Sequence, residues 1–385
     1  MFHSLIALPK NYSWGTPGAM SGFVSGVRSE LPEAELWFGA HPSSQSIILT
    51  DKGEEDFPSW LDNEALNFSL LVKLLAASQP LSIQVHPDSY QAIRGFEQEE
   101  SFGIDLSDPK RTYKDTSPKP ELIIALSDRF HALWGFVPTA HVEARLIHLE
   151  ASGFSSRALE ILRERASQSI ERFVRWILSG DESLSVAASA LESWARTSRG
   201  DSGVVSGLVN QGLVGKLANA HPGDPGILFS LVMHYVELKR GEALFVRPRE
   251  VHAYVEGFGL EVMLPSDNVV RAGLTSKHKD SSAFLELAHM SSTELPPMVE
   301  PLNRGNTDNY ANFGAPWEVI GVHDQAEIVL EETSTIVIVE SGSVTISARG
   351  VRWALDRGKV GFWARESGVL QTKEGSQVWL VRPVQ

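Results

Sequence analysis

The chain has 385 residues, 42% hydrophobic and 21% charged, with 34 Lys and Arg against 48 Asp and Glu for a formal charge of −14. That length predicts two or three domains with ample apolar material for a core, and the acidic balance excludes non-specific nucleic-acid binding, which needs a basic footprint. There is no cysteine, which excludes disulfides and thiolate metal sites, so any metal must be held by nitrogen and oxygen.

The opening MFHSLIALPKNY carries a four-residue apolar run and no cleavable signal pattern. No segment approaches the ~18 apolar residues of a membrane span, so the cytoplasm is the expected location, without membrane contact. Residues 1 to about 82 read as short strands and turns, among them AELWFGAHPSSQSIILT. LNFSLLVKLLAAS at Leu66–Ser78 is apolar nearly throughout and fits a buried helix or a buried strand equally well. PLSIQVHPD at Pro80–Asp88 is a short strand closed by a proline turn, and Gly95–Pro118, polar and punctuated by Asp, Pro, Lys and Ser, reads as a long excursion. KPELIIAL at Lys119–Leu126 returns to strand composition.

From Thr139 to about Ala218 the period changes. Ala158, Ile161, Leu162, Ile170, Phe173, Val174 and Ile177 fall on helical spacing, and Asp181 or Ser183 suits the cap of a further helix. HPGDPG at His221–Gly226 ends this helical insert, and strands resume with LFSLVMHYVELKRGEALFV. In the next stretch a strand ends in His252 and Tyr254, a tight loop is predicted at Glu256–Gly259, and a second strand carries Glu261. Leu287–Pro316, rich in Pro, Ser and Asn, reads as a linker, and Trp317–Pro383 as the short strands of a β-sandwich.

The chemistry-bearing residues cluster in two places. Gln84 and His86, two apart on a strand, leave the same face while Val85 points into packing. With Glu121 and His252 they make an N₂O₂ set that suits Zn²⁺ and is open to Mn²⁺, Fe²⁺ or Co²⁺. A neutral Gln in place of a second carboxylate leaves such a site at formal +1, so the ion stays a good Lewis acid. Moving a carbonyl between adjacent carbons needs a base and a cation. Arg271 is the fixed cation, unless it is tied up by Asp267, and Glu261 and Asp267 are the candidate bases. Lys119, Lys277 and the Ser82 hydroxyl suit a phosphate, which in so acidic a chain needs a local basic pocket.

AELWFGAHP, QPLSIQVHPD, YKDTSPKPELIIAL, PGDPGILFSLVMHYVELKRGEALFV, HAY and SDNVVRAGLTSKHKD, in order from Asn11 to Asp280, resemble the type I mannose-6-phosphate isomerase family. The resemblance implies a mainly β chain with an inserted α-helical domain. A discontinuous cupin (jelly-roll β-barrel) metal domain is expected at 1–138 and 219–286 and the helical insert at 139–218. A linker at 287–316 and a C-terminal jelly-roll β-sandwich at 317–385 follow. It implies one zinc ion on Gln84, His86, Glu121 and His252, with Arg271 in the active site and Glu261, Asp267, Tyr254, Lys119, Ser82 and Lys277 lining the pocket. The expected activity is interconversion of mannose 6-phosphate and fructose 6-phosphate by a monomer. Retention of Arg271 argues against a sugar-binding regulator without turnover, and Gln84 with the lysines fits a cupin Fe²⁺ oxygenase poorly. Two departures stand out. Pro118 occupies the place where many bacterial members carry His before KPE, and RPREV, with Arg247 and Arg249, replaces a smaller turn.

Overall fold

The computed structural model describes residues 1–39, 41, 43–44, 46–197, 208–311 and 313–384. Strand makes up 35% and helix 26%, so the chain is mainly β, as its sequence predicts. Among the described residues no helix is long and apolar enough to cross a membrane.

The strands under the site are covered on both faces. Leu71–Ala77 and Glu121–Ala125 are buried at every position, which is why LVKLLAA and ELIIA read as unbroken apolar runs rather than alternating ones. Leu66–Ser78, open to two readings in sequence, is therefore a strand over Leu71–Ala77. The period of two still sorts the side chains. Val72, Leu74, Ala76, Leu122 and Ile124 enter one apolar cluster, whereas Leu75, Ala77, Ile123 and Ala125 enter another with Phe130 and Tyr254. Lys73 and Glu121 share the parity of that second set, so both point into the same interior.

One strand organises the region. His252–Met263 runs unbroken for 12 residues and pairs antiparallel with Leu71–Ala77, Glu121–Ala125, Arg129–Phe136 and, at His252, with Gln84. The tight loop expected at Glu256–Gly259 does not form. Its glycines instead let a continuous strand bend and pack closely. Gly257 sits at φ +138°, where a Cβ would lie 2.6 Å from Phe130 Cδ2, and at Gly259 a Cβ would lie 2.6 Å from Ile123 Cδ1. The ladder to Arg129–Phe136 shifts register at the same place, between His131 and Ala132, as a bulge does.

The expected excursion at Gly95–Pro118 begins inside a helix, Ser89–Ser101. Asp88 and Gln91 form a reciprocal capping box, a start signal hidden by the polar composition that follows. Beyond it the chain is irregular, tied down by buried Arg111 pairing with Glu99 and Glu100. The helical insert matches its periodicity. Its helices are Thr139–Ala151, Ser156–Ala166, Ile170–Ile177, Ser183–Arg196 and Gln211–Ala220, three of them capped by Ser155, Ser169 and Asn210. Asp181 accepts the Ser183 amide at 2.8 Å, just ahead of the Ser183–Arg196 helix. The apolar faces of these helices join one core with Ile83, Val85 and Leu133 of the β region.

A nine-stranded sheet holds some of the C-terminal strands, beside a separate four-stranded sheet of others, and it recruits chain from far upstream. Phe2–Ile6 pairs with Val360–Trp363 on one side and Ile47–Thr50 on the other. The segment expected as a linker contributes too: Leu302–Arg304 and Thr307–Tyr310 form a hairpin that continues onto Trp317–His323. Pairing of Phe2–Ile6 with Val360–Trp363 is long-range and leaves no local mark on the residues that pair, whereas the hairpin is local and its short polar strands hid it.

The bend at Gly257 gives a direct expectation for stability. Gly257→Ala places a Cβ against Phe130 at a backbone angle that side chains rarely adopt, and should cost about 3 kcal/mol. Urea denaturation reads this as a lower midpoint at constant slope; an unchanged midpoint would refute the close packing of the bend.

Candidate metal centre and active site

Three elements deliver the predicted ligands to one point. Gln84 sits between fully buried Ile83 and Val85 on a short strand, so its own side chain must leave on the opposite face. His86 follows, before Pro87 turns the chain. Glu121 opens the strand Glu121–Ala125, facing Val246 and Met263 across its two ladders. His252 opens the long bent strand directly opposite Gln84. His86, Glu121 and His252 are 1%, 1% and 0% exposed, and each offers a ligand atom within 4.8 Å of the others.

The hydrogen bonds fix which nitrogen faces inward. His86 Nδ1 lies 2.7 Å from the Asn268 carbonyl and His252 Nδ1 3.0 Å from the Glu250 carbonyl. A carbonyl only accepts, so both Nδ1 atoms carry the proton and both Nε2 atoms present a lone pair. These stand 3.2 and 3.4 Å from the Glu121 oxygens. His86 Nε2 has no hydrogen-bond partner although it is buried. Burial, reinforced by the nearby Lys119 charge, pushes the His86 pKa down to about 4. Burial opposes ionisation of Glu121 as well, but the Lys119 charge outweighs it and holds Glu121 well below the usual carboxylate range. Neutral lone pairs turned on a carboxylate suit a cation between them. The Gln84 amide lies 3.2 Å from His252 Nε2, and rotating it about its last bond brings the oxygen to the same place. The donor set thus fits zinc.

A ring of buried charge surrounds the cluster. Lys119 Nζ is 3.1 Å from Glu121, and the Tyr254 hydroxyl donates to the other Glu121 oxygen at 3.3 Å. Burial, followed by the charges of Glu121 and Glu261, raises Tyr254 well above its ordinary value, so the phenol remains a donor. Glu261 is 3% exposed, and burial plus repulsion from Glu121 lift its pKa to about 7 against the pull of Lys73. A cation on Glu121 would cancel part of that repulsion.

Lys73 is a group that motif reading missed. It stands opposite Glu261 in one ladder and Trp37 in the next, 3.5 Å from Glu261 and 3.6 Å from Glu35. Its Nζ is also 4.4 Å from the centre of the Trp37 ring. The available signal was a single ammonium inside LVKLLAA.

The remaining predicted residues separate. Asp267 does not pair with Arg271. It is bound to His41 Nε2 at 3.3 Å, and that hydrogen bond lowers its pKa against the effect of burial. His41, 3% exposed, is a second residue that sequence reasoning passed over, within AELWFGAHP. Arg271 lies opposite Gln84 on the strand Val270–Gly273, and opposed residues share a face. Its guanidinium has no ion pair or side-chain hydrogen bond among the described residues, and desolvation lowers its pKa. Burial and then the Arg271 charge lower that of Lys277, so two cations without an ion pair among the described residues lie near each other. Ser82 Oγ donates to the Gln84 oxygen at 3.5 Å, a long contact beside the ligand set. Asn268 braces the loop, accepting from the Lys114 amide and donating to the Asp115 and Ser117 carbonyls. Arg247 pairs with Glu250 and Arg249 reaches Asp88, leaving both at the rim.

The chain is similar to known proteins along most of its length. The family model for the phosphomannose isomerase type I catalytic domain matches residues 2–139, which include Gln84, His86 and Glu121. The mannose-6-phosphate isomerase of Escherichia coli K12 is 30% identical over 96% of both chains, and that of Salmonella typhimurium 33% identical over 72% of each. A zinc-bound crystal structure of mannose 6-phosphate isomerase superposes over 100% of both chains with a TM-score of 0.85 at 25% identity. With relatives matched almost end to end, and a zinc-bound neighbour of the same architecture, the chain belongs to the type I phosphomannose isomerase family.

Proposed function

We propose that this protein is a zinc-dependent aldose–ketose isomerase that interconverts mannose 6-phosphate and fructose 6-phosphate through a cis-enediol(ate). The reading is carried by the buried His86–Glu121–His252 cluster, whose two Nε2 lone pairs are turned on one carboxylate, in a chain whose relatives bear the name of that enzyme. Gln84, His86, Glu121 and His252 would hold the ion, which when bound supplies Lewis acidity toward vicinal sugar oxygens. A small phosphorylated sugar in the cytoplasm, taken up by a monomer without nucleic acid or membrane, is the setting that an acidic, cysteine-free chain fits.

The residues around the cluster then divide the work. Arg271, without an ion pair among the described residues, faces the charge that develops on the enediolate. Lys277, with Lys119 and the Ser82 hydroxyl, gives the phosphate its local basic pocket. Between the two candidate bases, accessibility decides. The Asp267 side chain is 55% exposed, whereas Glu261 is closed in behind Lys73 and Tyr254. Asp267 therefore moves the proton between C1 and C2, and Glu261 acts at one remove by holding Lys73 and Tyr254 in place. In a chain with Pro118 before KPE, the His41 ring bound to Asp267 supplies an imidazole beside the proposed base.

Glu121→Ala or His252→Ala should reduce bound zinc from about one ion per chain to near zero, read by elemental analysis; a fully metallated variant removes that residue from the ligand set. Arg271→Ala should lower kcat about 10³-fold with zinc content unchanged, and full turnover would exclude its assigned role. The third expectation concerns pH. His41 stabilises the Asp267 carboxylate, so the base stays deprotonated below the ordinary carboxylate range. His41→Ala removes that support and should move the acid limb of kcat/KM upward in pH, whereas an unmoved limb would take the proton transfer away from Asp267.

A further inference from the structure

A second cavity, about 810 Å³, opens where the β region, the helical insert and the C-terminal strands meet. It takes in Leu126 and Ser127, just past the end of the strand that Glu121 begins. It thus lies about 16 Å along that strand from the metal cluster, at ~3.3 Å per residue. Its floor is apolar, with Ala76, Ala77 and the tilted ring pair Phe23–Phe258 at 5.9 Å. Its walls carry Arg28, Arg129, Lys216, Arg240 and Arg357. In a chain of formal charge −14, that concentration of positive charge is the reverse of the average surface.

The pairing of these cations is uneven. Lys216 is bound to Glu256 and Arg240 to Glu340, and Arg129 has Glu237 at 3.7 Å. Arg28 and Arg357 have no carboxylate within ion-pair distance among the described residues, yet both are directed to the same spot. A Cβ on Gly22 would fall 2.9 Å from Arg28 Cγ, so the Arg28 stem lies flat on the helix Ala19–Ser25 because that position is glycine. Arg357 Nη2 donates to the Gly22 carbonyl at 3.4 Å. Its neighbour Gly358 packs so tightly that a Cβ there would meet the Phe23 carbonyl oxygen at 2.4 Å. Both side chains thus reach Gly22 of one short helix, and an anion in the cleft would offset the charge that neither has balanced by a carboxylate.

We infer that this cleft is a binding site for a phosphorylated small molecule of the nucleoside diphosphate class. The Arg28–Arg357 pair takes the phosphates, with Arg129 at the rim, and the Phe23–Phe258 floor takes the flat apolar body. The volume lies within the ~300–1,000 Å³ of small-molecule sites. The cleft also includes Glu256–Phe258, the bend of the strand whose two ends carry His252 and Glu261, so a bound ligand presses on the element that spans the metal centre. This assignment does not depend on the reaction performed there.

Calorimetric titration of the zinc-loaded protein with ADP, pyrophosphate and inorganic phosphate tests it. ADP should bind one per chain, at least about tenfold tighter than inorganic phosphate, and weaken as salt is raised. The Arg28→Ala/Arg357→Ala protein should bind ADP at least about tenfold more weakly while its isomerase turnover stays unchanged. Arg129→Glu, on a side chain 63% exposed, gives a variant that should fold normally and weaken ADP in the same direction. Lys277→Ala should leave ADP affinity unchanged. Absence of ADP binding to the parent protein, or binding lost in Lys277→Ala and kept in Arg28→Ala/Arg357→Ala, would overturn the proposal; the second result would place the diphosphate at the metal centre instead.

Discussion

Burial of the Glu121 carboxylate is the constraint on which the site depends. A lone ion at 1% exposure would cost several kcal/mol even after the protein relaxes, so its surroundings must supply compensating charge. Lys119 and the Tyr254 hydroxyl do so from one side. Farther in, Lys73 serves Glu35 and Glu261. The buried set holds three carboxylates against two ammonium groups, with both rings neutral. It is short of positive charge where the two Nε2 lone pairs converge, and a divalent cation corrects that shortage without any side chain having to change its protonation.

Holding such a cluster together requires a scaffold that cannot let water in. The β strands supply it because both faces are apolar. One face of Leu71–Ala77 and Glu121–Ala125 packs toward Phe57, Trp60 and Phe362, and the other lines the interior with Phe130 and Tyr254. The helical insert closes a further side, since Val85, the neighbour of both Gln84 and His86, belongs to the same core as Leu162, Phe173 and Leu191. Metal geometry thus rests on helices far away in sequence that contribute no ligand.

Much of the site was legible in the residues because its signals are local. QVH places an amide and an imidazole on one face, KPE starts a strand with a carboxylate, and the helical insert announces its period over several turns. What escaped depends on contacts across the fold. The glycines of EGFG look like a turn, and only the proximity of Phe130 and Ile123 shows that they serve a bend in one strand. Lys73 resembles a surface lysine inside an apolar run until Glu35, Glu261 and Trp37 close around it. The choice between Arg271 and His41 as partner of Asp267 lay in how distant His41 meets the turn before the Val270–Gly273 strand. The helix Ser89–Ser101 was missed for a different reason: its cap was present in sequence, but its exposed polar face outweighed the short apolar stripe.

The placement of Phe2–Ile6 between Val360–Trp363 and Ile47–Thr50 has a consequence for biogenesis. Phe2–Ile6 is an interior member of its sheet, and its partner Val360–Trp363 is made long after it. At about 5–20 residues per second, it waits on the order of half a minute with its apolar side chains unpaired on one edge. The hairpin Ile47–Asp56 can shield only the other edge in the meantime. The nascent chain therefore carries an open, aggregation-prone strand edge until Val360–Trp363 is made, and the nine-stranded sheet can close only from then on.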